Sequence, residues 1–127
     1  MFIYPTIMHP TIVDYIAVLE RSPASLKAQL QGLPEFFTHQ NEGKDSWSVF
    51  DVVGHLIHGE KTDWMLRCEM ILKEEEEAFP PFDRFAQEQD SRGKSLSELL
   101  ETFEQLRAKN MAQLKALNLE SDDLLKE

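Results

Sequence analysis

Apolar residues recur at three- and four-residue spacings in three long stretches of this chain, which is the pattern of amphipathic helices. No segment of useful length alternates apolar and polar residues as a strand does. The pattern therefore predicts an all-α bundle. The stripes consist of Ile12, Ile16, Leu19, Leu26 and Leu30; of Val49, Val52, Val53, Leu56, Trp64, Ile71 and Leu72; and of Leu96, Leu99, Leu100, Phe103, Leu106, Leu114 and Leu117.

Helix start signals precede each stripe. Thr11 follows Pro10 before the first stripe, Ser48 and Asp51 resemble a capping box before the second, and Ser95-Leu-Ser-Glu98 is a full capping box before the third. We expect helices from about residue 11, from 49 to the 74–77 region, and from 96 to about 118. The dipeptide Ser22-Pro23 predicts an interruption or kink in the first helix, because an interior proline removes a backbone hydrogen bond.

The segments between the stripes have loop composition. Residues 34–47 contain Pro34, Asn41, Gly43 and Asp45, and we expect Phe36-Phe37 in this segment to cover the core. A short helix is expected over 83–91, before Gly93. Residues 121–123 are consistent with a loop or with the cap of one further helix.

Length and charge narrow the class of protein. The 127 residues are enough for one domain, 1–127, and the net charge of −10 argues against nucleic-acid binding, which needs clustered Lys and Arg. No apolar run approaches the roughly 20 residues of a membrane span, and the first residues lack the pattern of a signal peptide. Cys68 is the only cysteine, so no internal disulfide can form and we expect a cytoplasmic protein.

His55 stands inside the apolar run of the second stripe, where a histidine needs a partner or a function. It could be a buried histidine bonded to a backbone carbonyl or a carboxylate, or it could be a metal ligand. His58, Glu60 and Asp63 are close enough along the same helix to supply supplementary ligands, although each could equally be a solvated polar residue. Trp47 and Trp64 are either core anchors or pocket-lining residues.

Several motifs, taken in order, resemble those of the DinB-like (YfiT-type) superfamily of metal-binding four-helix bundles. The similarity spans nearly the whole chain, and its pieces are as follows: Trp47-Ser48 at a helix start, Val52-Val53-x-His55-Leu56 with Glu60 beyond, a Phe-Pro-Pro-Phe-Asp turn at 79–83, Ser95-Leu96-x-Glu98-Leu99-Leu100-x-x-Phe103-x-x-x-Arg107, and Leu114-x-x-Leu117.

The resemblance implies a specific site chemistry. In that family a histidine matching His55 is one metal ligand, and two more histidines spaced i and i+4 lie on a last helix. Three protein ligands leave a coordination position open, as catalytic sites require. The resemblance thus implies a divalent metal (Ni, Zn, Fe or Mn), and a low-molecular-weight thiol substrate of the kind used by the family's thiol transferases and maleylpyruvate isomerases.

No histidine follows Glu120 in this sequence. We therefore expect the fourth helix to be short or missing and the metal site centred on His55 to be incomplete. The function predicted is that of a DinB-like protein of unassigned substrate, of metal-dependent thiol transferase or hydrolase ancestry. The alternative is a non-catalytic bundle that acts through dimerisation or partner binding. An open apolar groove also predicts a homodimer.

Overall fold

The structure is a computed structural model that describes residues 9–127, and within this range it contains helices and no strands. The prediction of an all-α bundle is confirmed. Three long helices are accompanied by several short ones. Their bounds are α1 Ile12–Leu30, α2 Glu35–Thr38, α3 Val49–Thr62, α4 Trp64–Leu72, α5 Gln87–Ser91 and α6 Leu96–Ala116, followed by a 3₁₀ turn at Asp123–Leu125.

The capping residues predicted from the sequence start the two helices that form the centre of the bundle. At α3, the Ser48 amide donates to the Asp51 carboxylate at 2.9 Å, and the Asp51 amide donates to the Ser48 hydroxyl at 3.2 Å. At α6, the Ser95 amide donates to Glu98 at 2.7 Å, and the Glu98 amide donates to Ser95 Oγ at 3.1 Å. Each box satisfies amides that a helix start leaves without partners.

Helix α1 runs without interruption through Pro23, so the interruption predicted at Ser22 is absent. A proline inside a helix deprives the carbonyl four residues earlier of its donor. Here that carbonyl belongs to Leu19, and Nη1 of Arg107 on α6 donates to it at 2.8 Å. A partner from a distant helix therefore replaces the lost hydrogen bond, which the local sequence could not indicate.

The second predicted helix is divided into two. Asp63, with φ −115° and ψ −81°, separates α3 from α4, and α4 ends at Leu72, before the acidic run 74–77. The Thr62 hydroxyl donates to the carbonyl of His58 at 2.9 Å, an interaction that tends to bend helices. The run 74–77 is exposed and lies outside the helix.

Helix α6 packs against both α1 and α3 and so forms the centre of the core. Phe36 and Phe37 do not cover this core, because their side chains are 66% and 62% exposed, and Thr38 is the buried residue of α2. That expectation was wrong. Val52 is likewise 42% exposed, since Val53 is the neighbour that faces inward. The buried residues form two clusters: Val53, Ile57, Leu96, Leu99, Leu100 and Phe103; and Ile16, Met65, Met111 and Leu114.

A buried ion pair connects the three long helices. The Glu60 carboxylate on α3 accepts from Arg107 Nε at 2.7 Å and from Asn110 Nδ2 at 2.8 Å, both on α6. The Glu60 side chain is 2% exposed and that of Arg107 is 11% exposed. Because Arg107 also donates to Leu19 on α1, one guanidinium joins α1, α3 and α6.

Helix α5 lies on α3 over a glycine. A Cβ atom placed on Gly54 would meet Ser91 Oγ at 2.5 Å, so the absence of a side chain allows this close approach. The short helix expected over 83–91 is confined to 87–91, since Asp83 caps a turn by accepting from the Phe85 amide at 3.0 Å. No helix in the described part of the chain is both long and apolar enough to cross a membrane.

Candidate functional site around His55

Aromatic side chains surround His55 on two sides. Trp47 is the residue before Ser48, which caps α3. The centroid of the Trp47 ring lies 4.8 Å from the centroid of the His55 imidazole. The Phe82 ring, from the segment after α4, meets the same imidazole edge-on at 5.1 Å. Phe82 also lies 5.0 Å from the ring of His58, one turn further along α3. The Phe-Pro-Pro-Phe turn thus covers one face of both histidines.

His55 opens into a cleft of about 430 Å³ that is also lined by Asp45, Trp47 and Arg84. The guanidinium carbon of Arg84 lies 5.7 Å from the centre of the Trp47 ring and 4.9 Å from that of Phe85. These distances suit cation–π contact, which orients the guanidinium without using its N–H groups. The cleft therefore combines a carboxylate, a cation, an imidazole and an aromatic wall.

The surroundings of His55 favour the neutral form of its imidazole. Burial lowers its pKa, the nearby His58 and Arg84 lower it further, and Asp63 opposes them. Nδ1 of His55 is buried and has no hydrogen-bond partner among the described residues. The carbonyl or carboxylate partner considered for a structural histidine is therefore not present at this atom. A neutral imidazole is the form that binds metal ions.

Two of the residues named as supplementary ligands are engaged elsewhere. Glu60 faces the core, where its carboxylate is held by Arg107 and Asn110. Asp63 forms an ion pair with Arg67, with 2.6 Å between Oδ1 and Nε. Neither carboxylate lines the cleft at His55.

His58 lies closer to His55 but has its own contacts. Its Nδ1 is 4.0 Å from the Asp90 carboxylate and, like Nδ1 of His55, has no hydrogen-bond partner among the described residues, and its Nε2 is 3.4 Å from the Thr62 hydroxyl. The two imidazoles share the Phe82 ring, which lies against both of them. His58 is therefore a neighbour of the site on the same helix, with Phe82 against its ring.

The two tryptophans lie in different places. Trp47 lines the cleft at His55. Trp64 starts α4 and packs against the core cluster that contains Met65 and Met111. Sequence reasoning did not single out Asp45, Phe82 or Arg84, although Phe82 belongs to the turn motif of residues 79–83. Asp45 comes from the loop before α3 and Arg84 from the turn between α4 and α5, and no spacing in the sequence connects them.

The profile of the DinB superfamily matches residues 18–125, most of the chain. This chain belongs to the DinB superfamily. Its structure is similar to that of YfiT from Bacillus subtilis, described as a probable metal-dependent hydrolase with an unusual four-helix bundle topology. The TM-score is 0.71 at 25% identity, and the similarity covers 94% of this chain and 70% of that one. A search of curated proteins found no match.

The metal that this DinB-superfamily relationship suggests can be compared with the donors of the chain. Residues 9–127 contain no cluster of three or more His, Cys, Asp or Glu side chains that could hold a metal ion. The sequence of residues 1–8, MFIYPTIM, contains none of these residue types. At the cleft His55 provides one imidazole, whereas a catalytic site usually has three protein ligands. The donor set present does not fit a complete metal centre.

Proposed function

We propose that this DinB-superfamily protein has its functional centre in the His55 cleft and is of the metal-dependent hydrolase type. In this proposal His55 contributes one imidazole to a divalent-metal site whose remaining ligands are supplied by a second subunit, because residues 9–127 of one chain contain no cluster of three or more donors. The description of YfiT as a probable metal-dependent hydrolase supports hydrolysis over thiol transfer. The low-molecular-weight thiol substrate implied by the resemblance stays a prediction.

The observation that carries the proposal is the state of His55. Burial lowers the pKa of its imidazole and so favours the neutral form, its buried Nδ1 has no partner in the described protein, and it borders a cleft with charged groups on the rim. Leaving a buried polar atom unpaired costs about 1–3 kcal/mol, so structural histidines normally have a partner. An unpartnered, neutral imidazole at a cleft is instead suited to a metal ion or a ligand.

Metal content tests this proposal. The purified, tag-free protein and His55→Ala would be dialysed together against Ni, Zn, Fe and Mn, and each would then be measured by elemental analysis. The expected result is that the wild type retains one of these metals and His55→Ala loses it. His39→Ala is the matched control, because His39 stacks on Phe50 at 4.8 Å and does not line the cleft. Equal metal in all three proteins would contradict the proposal.

The second candidate function is that of a non-catalytic bundle that acts as a homodimer. The observation in its favour is the exposed apolar surface on one face of α1, where Tyr15 and Val18, three residues apart, are 50% and 67% exposed. Exposed apolar surface of this kind is typical of interfaces. In our proposal a second copy of this chain covers this surface.

Light scattering at micromolar concentration distinguishes a homodimer from a monomer. The expected result is a dimer for the wild type and a monomer for Val18→Glu. Gln29→Glu, at an exposed position of the same helix, is the control for one added negative charge. A wild type that is monomeric under these conditions would contradict dimerisation.

A further inference from the structure

The rim of the His55 cleft carries two opposite charges that do not pair with each other. Asp45 and Arg84 both line it. Among the described residues, neither takes part in an ion pair, although Arg107, Arg67, Lys27 and Lys115 do.

The local structure keeps both charged groups available. Arg84 rests on the rings of Trp47 and Phe85, which leaves its planar set of donors open to a ligand. The turn that presents Asp45 is held by other atoms, since the amide of Ser46 donates to the carbonyl of Gly43 at 3.2 Å. The carboxylate of Asp45 makes no hydrogen bond within the described structure.

A ligand with only one charge would be attracted by one side of this rim and repelled by the other. A carboxylate near Arg84 would also meet the field of Asp45, and an ammonium group near Asp45 would meet that of Arg84. A molecule that carries both groups avoids both repulsions. The cleft volume of about 430 Å³ is within the usual range for small-molecule sites.

We propose that the His55 cleft binds a small zwitterion, with its carboxylate on Arg84, its ammonium group on Asp45 and its body against the Trp47 ring. Amino acids and the ends of short peptides belong to this chemical class. The neutral imidazole of His55 then faces the middle of the ligand. This inference rests on the proposed function only for the location of the site, because zwitterion binding requires no metal.

The experiment compares three closely related probes in a buffer with EDTA. Glycylglycine carries both charges, N-acetylglycylglycine carries only the carboxylate, and glycylglycinamide carries only the ammonium group. Two-dimensional NMR of the ¹⁵N-labelled protein would follow the indole N–H of Trp47, identified by its loss in Trp47→Phe. We expect glycylglycine to bind with a Kd of about 1 mM, and each singly charged probe to bind at least ~10-fold more weakly.

Substitutions of Arg84 and Asp45 test which charged group of the ligand each residue binds. Arg84→Gln and Asp45→Asn should each weaken glycylglycine binding by about 10-fold. Asparagine is chosen because Asp45 has φ +64°, a conformation that asparagine also tolerates. Asp45→Asn should also strengthen binding of N-acetylglycylglycine, because it removes the repelling carboxylate. Arg92→Gln, an exposed arginine outside the cleft, is the control and should bind glycylglycine as the wild type does.

Three results would overturn the inference: no shift of the Trp47 indole with any probe, equal affinity for the acetylated probe, or unchanged binding in Arg84→Gln and Asp45→Asn. The NMR spectrum of each variant also reports whether it is folded. Because EDTA is present throughout, the outcome is independent of the metal test. A protein without His55-dependent metal could still bind the zwitterion, and a metal-binding protein could fail to do so.

Discussion

Replacing Arg107 by methionine tests whether the buried ion pair holds the bundle together. The guanidinium donates to Glu60 through Nε at 2.7 Å and lies 2.7 Å from the same carboxylate through Nη2, and it also donates to the carbonyl of Leu19. Methionine keeps most of the apolar length of the side chain and removes the charge. The Arg107→Met protein would therefore leave the Glu60 carboxylate, 2% exposed, with Asn110 as its remaining donor.

The expected loss is large for a single side chain. Removing one partner of a buried ion pair typically costs about 3–5 kcal/mol, because the other charge is left desolvated and unpaired. A domain of this kind has about 5–15 kcal/mol of stability in total. Arg107→Met should therefore lose about a fifth or more of the free energy of unfolding. Glu60→Gln combined with Arg107→Met should recover ~2 kcal/mol of the summed losses, because no buried charge is then left alone.

Urea unfolding followed by circular dichroism measures these free energies, and an unchanged urea dependence would show that the unfolded state is the same. Lys27→Met is the matched control. Lys27 pairs with Glu104 at 3.8 Å with both side chains about half exposed, and exposed pairs contribute about 0–1 kcal/mol. If Arg107→Met cost no more than Lys27→Met, the buried ion pair would not be what joins the three helices.

Two further predictions concern α3. Gly54→Ala should lower the free energy of unfolding by about 1–3 kcal/mol, since its Cβ would meet Ser91 Oγ at 2.5 Å; Ser91→Ala should relieve most of this loss. Nothing lies within 4 Å of a Cβ added to Gly59, so Gly59→Ala should instead raise the free energy of unfolding by up to ~1 kcal/mol. If Gly59→Ala destabilised the protein more than Gly54→Ala, the packing of α5 on α3 would be contradicted. The pKa of His55, measured by NMR, should lie below 6.5 and move upward in Arg84→Gln, because burial, His58 and Arg84 lower it. Since the unfolded protein then binds more protons, stability should fall as the pH drops from about 6.5 towards the folded pKa of His55, and this dependence should be absent in His55→Gln.

Local sequence patterns were sufficient to predict the starts of the two helices that begin with a capping box. The boxes at Ser48 and Ser95 act within four residues, and the structure confirms both as the caps of α3 and α6. The positions at which helices end or break were harder to predict from the sequence. The interruption expected at Pro23 is absent because Arg107, far away in the sequence, takes the carbonyl that proline leaves free. The break at Asp63 had no signal in the apolar spacing, which continues across it.

For the candidate site, too, local patterns predicted one part and contacts between distant elements decided the rest. Two features of the sequence indicated His55 as the centre of the candidate site. One is its position in an apolar run, and the other is the resemblance of the surrounding motifs to the DinB-like family. The role of Glu60 was not accessible, because whether a carboxylate on α3 faces the cleft or the core depends on the donors that α6 places against it. Spacing along one helix shows which residues are near each other. It does not show which of them a neighbouring helix will bind.

The sequence by itself determined the all-helical class and the two capped helix starts, because these depend on periodicity and on contacts within a few residues. Tertiary structure alone decided the pairing of Glu60 with Arg107 and the cleft that Asp45 and Arg84 form with His55. These groups come from loops and helices far apart in the chain. They meet only when α3, α5 and α6 have packed, since side-chain pairing across elements is a property of the packed core.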